Sequence, residues 1–282
     1  MRFLSVCFAN HDANISYFDG ETLHYAKTER FTGIKRHWYD NLWTWKYDVK
    51  KLWNIDAEDV DYVVLQIENG MMSKIQHLIS EETKEDFNDL YSGNKNYIKL
   101  RQEFGALLGI DHSKLIAISH YYAHALSVHT MTDKTPDVYM VIDCYGDGDR
   151  SWSVYRDDKL VDKGIFCDNS LGEEINNMGR RLKVQAHHDV EIAGKVMGLQ
   201  SYGRIDSGYL DQSKQYDMWQ VRDLYSFDRY AQYKGDPLVA EYTALNWART
   251  VHRQTEHMLV DLDRKSTRLN SSHTDISRMP SS

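Results

Sequence analysis

Short apolar runs alternate with polar turns at the start of the chain, and this pattern predicts strands. Phe3 to Phe8 reads as a short apolar strand and Ile15 to Phe18 as a second, joined by the polar turn Ala9-Asn10-His11-Asp12-Ala13-Asn14. Asp19-Gly20 is a hairpin signal, and Leu23 to Lys27 is the third strand. Tyr62 to Gln66 reads as a buried strand, and Leu115 to Ile118 as another. Residues 94–108 have helical spacing, with Ile98, Leu100, Phe104, Leu107 and Leu108 as the apolar stripe. Tyr121 to Met131 is a further helix. The opening then repeats: a strand from Val138 to Asp143, a turn over 144–149, a strand from Trp152 to Arg156, the turn Asp157-Asp158, and a strand from Leu160 to Phe166. Ala240 to Leu262 reads as a long helix. The order predicts an α/β protein of two lobes with similar beginnings. Pro136 stands at the junction, so the lobes are expected over 1–135 and 136–262.

Composition narrows the picture. Apolar residues make up 41% and aromatic residues 12% of the 282, which suits an ordered chain and not a disordered one. No apolar run approaches the roughly 20 residues of a membrane helix, so no membrane partner is expected. The 42 acidic residues against 34 basic ones leave a formal charge of −8, which disfavours a broadly basic nucleic-acid surface. The cysteines are three in number and far apart (Cys7, Cys144 and Cys167), so neither a zinc ribbon nor a disulfide framework is expected and a reducing cytoplasm is favoured.

The C-terminal residues are of a different kind. Asp263 to His273 reads DRKSTRLNSSH, a string that back-translates to a short-read sequencing adapter. Residues 263–282 are therefore expected to be a non-native tail, excluded from fold reasoning. Setting aside Arg264, Lys265, Arg268, Arg278, Asp263 and Asp275 leaves 30 basic and 40 acidic residues, net −10. The chain is then expected to be a fragment of a longer protein.

Five stretches carry candidate chemistry. In Ser119-His120-Tyr121-Tyr122-Ala123-His124 two histidines stand four apart, on one face of a helix, where both rings can reach one metal ion. Position 121 is Tyr, so the HExxH metalloprotease pattern is missing. Asp143-Cys144-Tyr145-Gly146-Asp147-Gly148 puts a carboxylate at a strand end before glycines whose N–H groups could approach an anion. Equally it is a Gly/Asp-rich hairpin loop, and no glutamate stands where an EF-hand needs one. Asn10-His11-Asp12 occupies the matching turn of the first lobe, with His11 a candidate base and Asp12 a candidate orienting group, or simply a turn with an Asp cap. The three glycines around Lys195 (Gly194, Gly198 and Gly203) suggest a backbone approach to an anion, or a glycine-punctuated loop, but not a Walker A loop, because Val196 follows the lysine. The segment from Lys27 to His37, with Arg30, Lys35 and Arg36, could clamp a phosphate or carbamoyl group, or form a solvated helix face.

In order, these stretches resemble the O-carbamoyltransferase family of nodulation-factor and aminoglycoside-tailoring enzymes. The resemblance rests on His11-Asp12-Ala13, Glu29-Arg30-Phe31-Thr32 with Lys35, His120 to Ala125, Asp143 to Tyr155, Ser170-Leu171-Gly172 and Lys195 to Gly203. It spans nearly all of residues 3–262. Cys144 stands where the family usually has glycine, and position 10 is Asn.

The resemblance implies an actin-like, two-lobed ATPase fold of ribonuclease-H-like halves, the second lobe incomplete. It implies a divalent metal, most often Fe2+, held by His120, His124 and Asp143. It implies nucleotide or carbamoyl contacts at Lys35, Gly146, Asp147, Gly148, Lys195 and Gly198, with His11 and Asp12 at the chemistry. The co-substrates would be ATP and carbamoyl phosphate, joined as carbamoyl-adenylate by a further domain not present in this chain, and the acceptor a small hydroxylated molecule, sugar or nucleoside. The family's usual GG-x-A-x-N-type nucleotide loop is not found here, and this fragment alone is expected to be inactive. Two other readings stand beside it: a tRNA threonylcarbamoyl-transfer-like enzyme, which the net charge disfavours, and a non-catalytic actin-like nucleotide-binding module. Among the tryptophans Trp38, Trp43, Trp45 and Trp53 cluster in sequence, as a stacking surface or, more simply, as core.

Overall fold

The computed structural model describes residues 1–8, 12–67, 69–90, 97–131, 136–144, 151–164, 170–235 and 241–269. Along them run β1 (Phe3–Phe8), β2 (Asn14–Phe18), β3 (Leu23–Lys27), α1 (Thr28–Thr32), α2 (Thr44–Trp53), β4 (Tyr62–Ile67), α3 (Asn69–Ile75), α4 (Glu81–Leu90), α5 (Ile98–Leu108), β5 (Leu115–Ile118) and α6 (His120–Met131). Then come β6 (Val138–Ile142), β7 (Trp152–Arg156), β8 (Lys159–Gly164), α7 (Leu171–Arg181), α8 (Val190–Leu199), α9 (Ser207–Ser213), α10 (Val221–Leu224), α11 (Phe227–Lys234) and α12 (Glu241–Leu269). The protein is thus α/β, as its pattern predicts. No helix among the described residues is long and apolar enough to cross a membrane.

The chain divides into two compact units. The first holds Met1–Val141 and Ser153–Lys163; the second is built mainly from Gly164 onward, and takes in Ile142, Asp143, Cys144, Ser151 and Trp152. Most of β6, β7 and β8, which the sequence reading assigns to the second lobe, thus belongs to the first unit.

In the first unit five strands form one sheet in the order β3-β2-β1-β4-β5. β1 pairs antiparallel with β2 and β2 with β3, while β4 runs parallel to β1 and β5 parallel to β4. Parallel neighbours need crossovers, and helices supply them. Side chains alternate: Leu4, Val6 and Phe8 of β1 and Val63, Leu65 and Ile67 of β4 are buried on one face. The same core takes in Trp45 and Val49 of α2 and Leu100, Phe104 and Leu108 of α5. Trp45 is fully buried and its indole N–H donates to the Leu42 carbonyl at 2.6 Å, so no polar atom is stranded. In α5, Leu100, Phe104 and Leu108 form the predicted stripe, but Ile98 is 51% exposed: it sits at the first turn, ahead of the packed face. Residues 94–96 of the predicted helix lie outside the described residues.

Strands β6, β7 and β8 form a three-stranded sheet in chain order, so the strand–turn–strand opening does occur twice. Asp157 and Asp158, the whole β7–β8 connection, have φ of 49° and 60°. Two consecutive positive φ values are what a two-residue hairpin of the twist-compatible type demands, and Asp tolerates them.

The second unit is helical from α7 onward. Gly179 of α7 lets α8 approach closely: a Cβ there would meet Ile192 Cγ2 at 2.1 Å and Val196 Cγ2 at 2.8 Å. Against α12, Asn246 Oδ1 accepts from Arg204 N at 2.6 Å and Thr250 Oγ1 from Asp206 N at 2.8 Å. The Phe227 and Trp247 rings meet edge to face, 5.0 Å between centroids. Helix α12 does not stop at Leu262 but continues to Leu269, seven residues into the adapter-like string.

Candidate functional site

The site is built where strands end. β1, β4 and β5 are parallel, so their carboxyl ends share one edge of the sheet, the usual place for ligands in open α/β sheets. A single row of aligned residues crosses all five strands near that edge. Lys27 opposes Asn14, Asn14 opposes Cys7, Cys7 opposes Gln66, and Gln66 opposes Ile118.

Helix α6 starts two residues beyond Ile118. Ser119, buried at the turn, accepts a hydrogen bond from Tyr122 N on its hydroxyl at 3.1 Å and so caps the helix. Tyr121 and Ala125 pack into a small core with Tyr139 and Val141 of β6 and Tyr155 of β7, which fixes the rotation of α6. His120 and His124 then fall together on the adjacent face, as their spacing predicts. Their Nε2 atoms stand 3.1 Å apart, and the rings lie edge to face at 4.6 Å. Two imidazole nitrogens bound to one tetrahedral ion at about 2.1 Å each would stand roughly 3.4 Å apart. The observed separation is near that bite, so the pair fits a single divalent ion. His120 is half-buried and His124 exposed.

Behind His120 stands Gln66. Its side chain is nearly buried, with Nε2 3.2 Å from His120 Nδ1. Its Oε1 accepts from the thiol of Cys7, the residue beside it on β1. Neither residue was expected at the site. A glutamine closing the otherwise apolar run Tyr-Val-Val-Leu-Gln was the available signal, because a polar side chain there must find partners once buried.

At the other end of the row, two of the candidate stretches come together. Ala13 N donates to the His37 carbonyl and Thr28 N to the Ala13 carbonyl, both at 3.0 Å. The fully buried Thr28 hydroxyl lies between them, 2.8 Å from Ala13 O and 3.0 Å from His37 O. Asp12, at φ 58°, pairs with Lys27 at 2.9 Å, and Lys27 also lies 3.4 Å from Glu29. The hydrogen bond to Asp12 holds the Lys27 ammonium above its ordinary range, against the opposing effect of burial. Glu29 accepts from Arg36 N at 3.0 Å, which keeps its carboxyl below the usual range. The Lys27–His37 segment is therefore a short helix, α1, closed by Gly33 at φ 72° and folded back on the Asp12 turn. Lys35 is exposed on the connection that follows. His11 lies outside the described residues, as do Gly146, Asp147 and Gly148.

In the second unit, Asp143 follows directly on β6. Its carboxylate accepts from Cys144 N at 2.6 Å, and its own N donates to Ser151 O at 3.0 Å. Gly172 lies against Cys144: an added Cβ would stand 2.6 Å from Cys144 Cβ and 2.8 Å from its Cα. Ser170 caps α7 by accepting from Glu173 N at 3.0 Å, and its hydroxyl is 3.6 Å from Cys144 Sγ. The Asp143-Cys144 and Ser170-Leu171-Gly172 stretches are thus in contact, and glycine at 172 is required by close approach. Burial pushes the Cys144 thiol up.

The Lys195 stretch requires a correction. It is not a loop wrapped around an anion: Val190–Leu199 is helix α8. Gly194 and Gly198 are exposed within it, and nothing lies within 4 Å of a Cβ added at either. Helical N–H groups are spent on the helix, so no backbone cradle forms there. Lys195 is itself engaged, 3.3 Å from the buried Glu191 and donating to Gln185 O at 2.6 Å.

No protein-family model matches the sequence, and comparison with curated proteins finds no significant match.

Proposed function

We propose that this chain carries the metal-binding part of an O-carbamoyl-transfer site. The carrying observation is the His120–His124 pair, nitrogens 3.1 Å apart and backed by Gln66, at the carboxyl edge of three parallel strands. The 3-2-1-4-5 strand order, antiparallel then parallel, is the arrangement expected of a ribonuclease-H-like half of an actin-like fold, and so supports the resemblance. The recurrence of a three-stranded opening at β6–β8 supports it further.

In this reading His120 and His124 supply two imidazole ligands, and Asp143 is the carboxylate ligand that the family resemblance implies. Such a set suits Fe2+ and other first-row divalent ions. When bound, the ion supplies a Lewis acid that offsets charge on the departing phosphate.

The protein's own groups do the rest. His11 takes the proton of the acceptor hydroxyl as that oxygen attacks the carbamoyl carbon of carbamoyl-adenylate, and AMP leaves. Asp12, the next residue in the chain after His11, is tied to Lys27. Lys35 lies within reach of solvent to meet the nucleotide. Carbamoyl-adenylate, formed from carbamoyl phosphate and ATP, is the donor in this reading, and the acceptor is a small hydroxylated molecule.

The test is calorimetric. A non-hydrolysable carbamoyl-adenylate analogue is titrated into the chain with and without Fe2+ under anaerobic conditions, with tRNA as a second titrant. Metal-dependent binding of the analogue supports the reading. Binding of tRNA alone would move it to the threonylcarbamoyl branch, and binding of neither would contradict it.

A further inference from the structure

We infer that Gln66 is a positioning residue for His120, an amide that fixes which ring nitrogen is presented to the ion. This rests on the metal reading above. The imidazole has two nitrogens that are chemically alike until a neighbour distinguishes them. Here Nδ1 faces Gln66 Nε2 at 3.2 Å, and Nε2 faces His124 at 3.1 Å. Gln66 cannot easily turn away. Its side chain is nearly buried, it lies in the strand row between Cys7 and Ile118, and Cys7 donates to its other amide atom.

The consequence is a defined tautomer. With Gln66 N–H donating to Nδ1, the neutral His120 ring carries its proton on Nε2, directed at His124. Metal binding at Nε2 requires that nitrogen's lone pair. The ring then holds its single proton on Nδ1 instead, and the Gln66 amide turns so that Oε1 accepts from Nδ1–H. An amide carries a donor and an acceptor on one carbon, so it serves both states, and Cys7 can accept from the N–H2 in the second. No net proton is gained or lost by the protein. Groups behind a metal-bound histidine commonly orient the ring and raise affinity 10–100-fold.

The experiment uses the full chain with Co2+ as the probe, following the visible absorption of the bound ion. Histidine tautomers are read from long-range 1H–15N correlations. Metal-free wild type should show His120 as a single tautomer protonated at Nε2, changing to Nδ1–H when Co2+ is replaced by diamagnetic Zn2+. Gln66→Leu, which can neither donate nor accept, should weaken Co2+ binding by about 10–100-fold and give a mixture of tautomers. Gln66→Glu, which can accept from Nδ1–H, should restore binding to within a few-fold of wild type. Wild-type affinity in Gln66→Leu would overturn the positioning role and leave the metal reading standing. No Co2+ bound by wild type would overturn both. A tautomer mixture in metal-free wild type would overturn the positioning role whatever the variants' stability.

Discussion

The hydroxyl of Thr28 donates to the carbonyl of Ala13 from 2.8 Å, fifteen residues away in sequence and fully buried. That bond joins the turn after β1 to the start of α1. Together with the Lys27–Asp12 ion pair it makes one unit of two stretches read separately as candidate chemistry. Replacing Thr28 by Val keeps the shape and removes the hydroxyl. Ala13 O still receives Thr28 N, so the expected loss is moderate, about 1–2 kcal/mol, measured by urea unfolding. An unchanged midpoint would mean the hydroxyl does not hold the turn.

The glycines of α8 and α7 make opposite predictions. Gly194→Ala and Gly198→Ala introduce a Cβ into open space on the exposed face of α8. Each should stabilise by up to about 1 kcal/mol. Gly179→Ala drives a Cβ into Ile192 and Val196 and should cost about 1–3 kcal/mol. Thermal unfolding of the three variants checks both. Destabilisation by Gly194→Ala or Gly198→Ala would restore the idea that those positions need glycine.

Stability should fall as the medium becomes mildly acidic, and His252 is one named cause. It is buried on α12, Nδ1 donates to Ala248 O at 2.9 Å, and burial lowers its pKa below the ordinary 6.5. Between the folded pKa and about 6.5 the unfolded chain binds more protons, so stability rises with pH there. The contribution is complete above about 6.5 and is lost as pH falls through that value toward the folded pKa. His252→Gln should flatten this part of the profile, read from urea midpoints at several pH values. A wild-type slope in the variant would assign the effect elsewhere.

Much of this arrangement was legible in the residues. β1 to β5 announce themselves as short apolar runs between turn residues, and His120 and His124 by their spacing. Asp157-Asp158 declares its hairpin because few residue pairs tolerate two positive φ values. Other parts were not. Helix α8 is punctuated by glycines that read as a loop, yet its exposed face tolerates them while Ile192 and Val196 pack on α7. Helix α4 is mostly polar, and its two apolar positions, Phe87 and Leu90, are too few to show a period; α2 carries Trp45, Val49, Leu52 and Trp53 at helical spacing, but its tryptophans read equally as a stacking cluster. Gln66 went unnoticed because its importance lies in strand register, which brings together residues 59 and 54 positions apart. Pairing of that kind is a property of the assembled sheet and not of any local stretch.

The central claim is that His120 and His124 hold one divalent ion together. The most direct measurement is metal stoichiometry of the anaerobically reconstituted chain, by elemental analysis after gel filtration, for wild type, His120→Ala and His124→Ala. The account predicts about one Fe2+ per chain in wild type and loss of it in each variant, since neither histidine alone completes the site. Unchanged stoichiometry in either variant would contradict it.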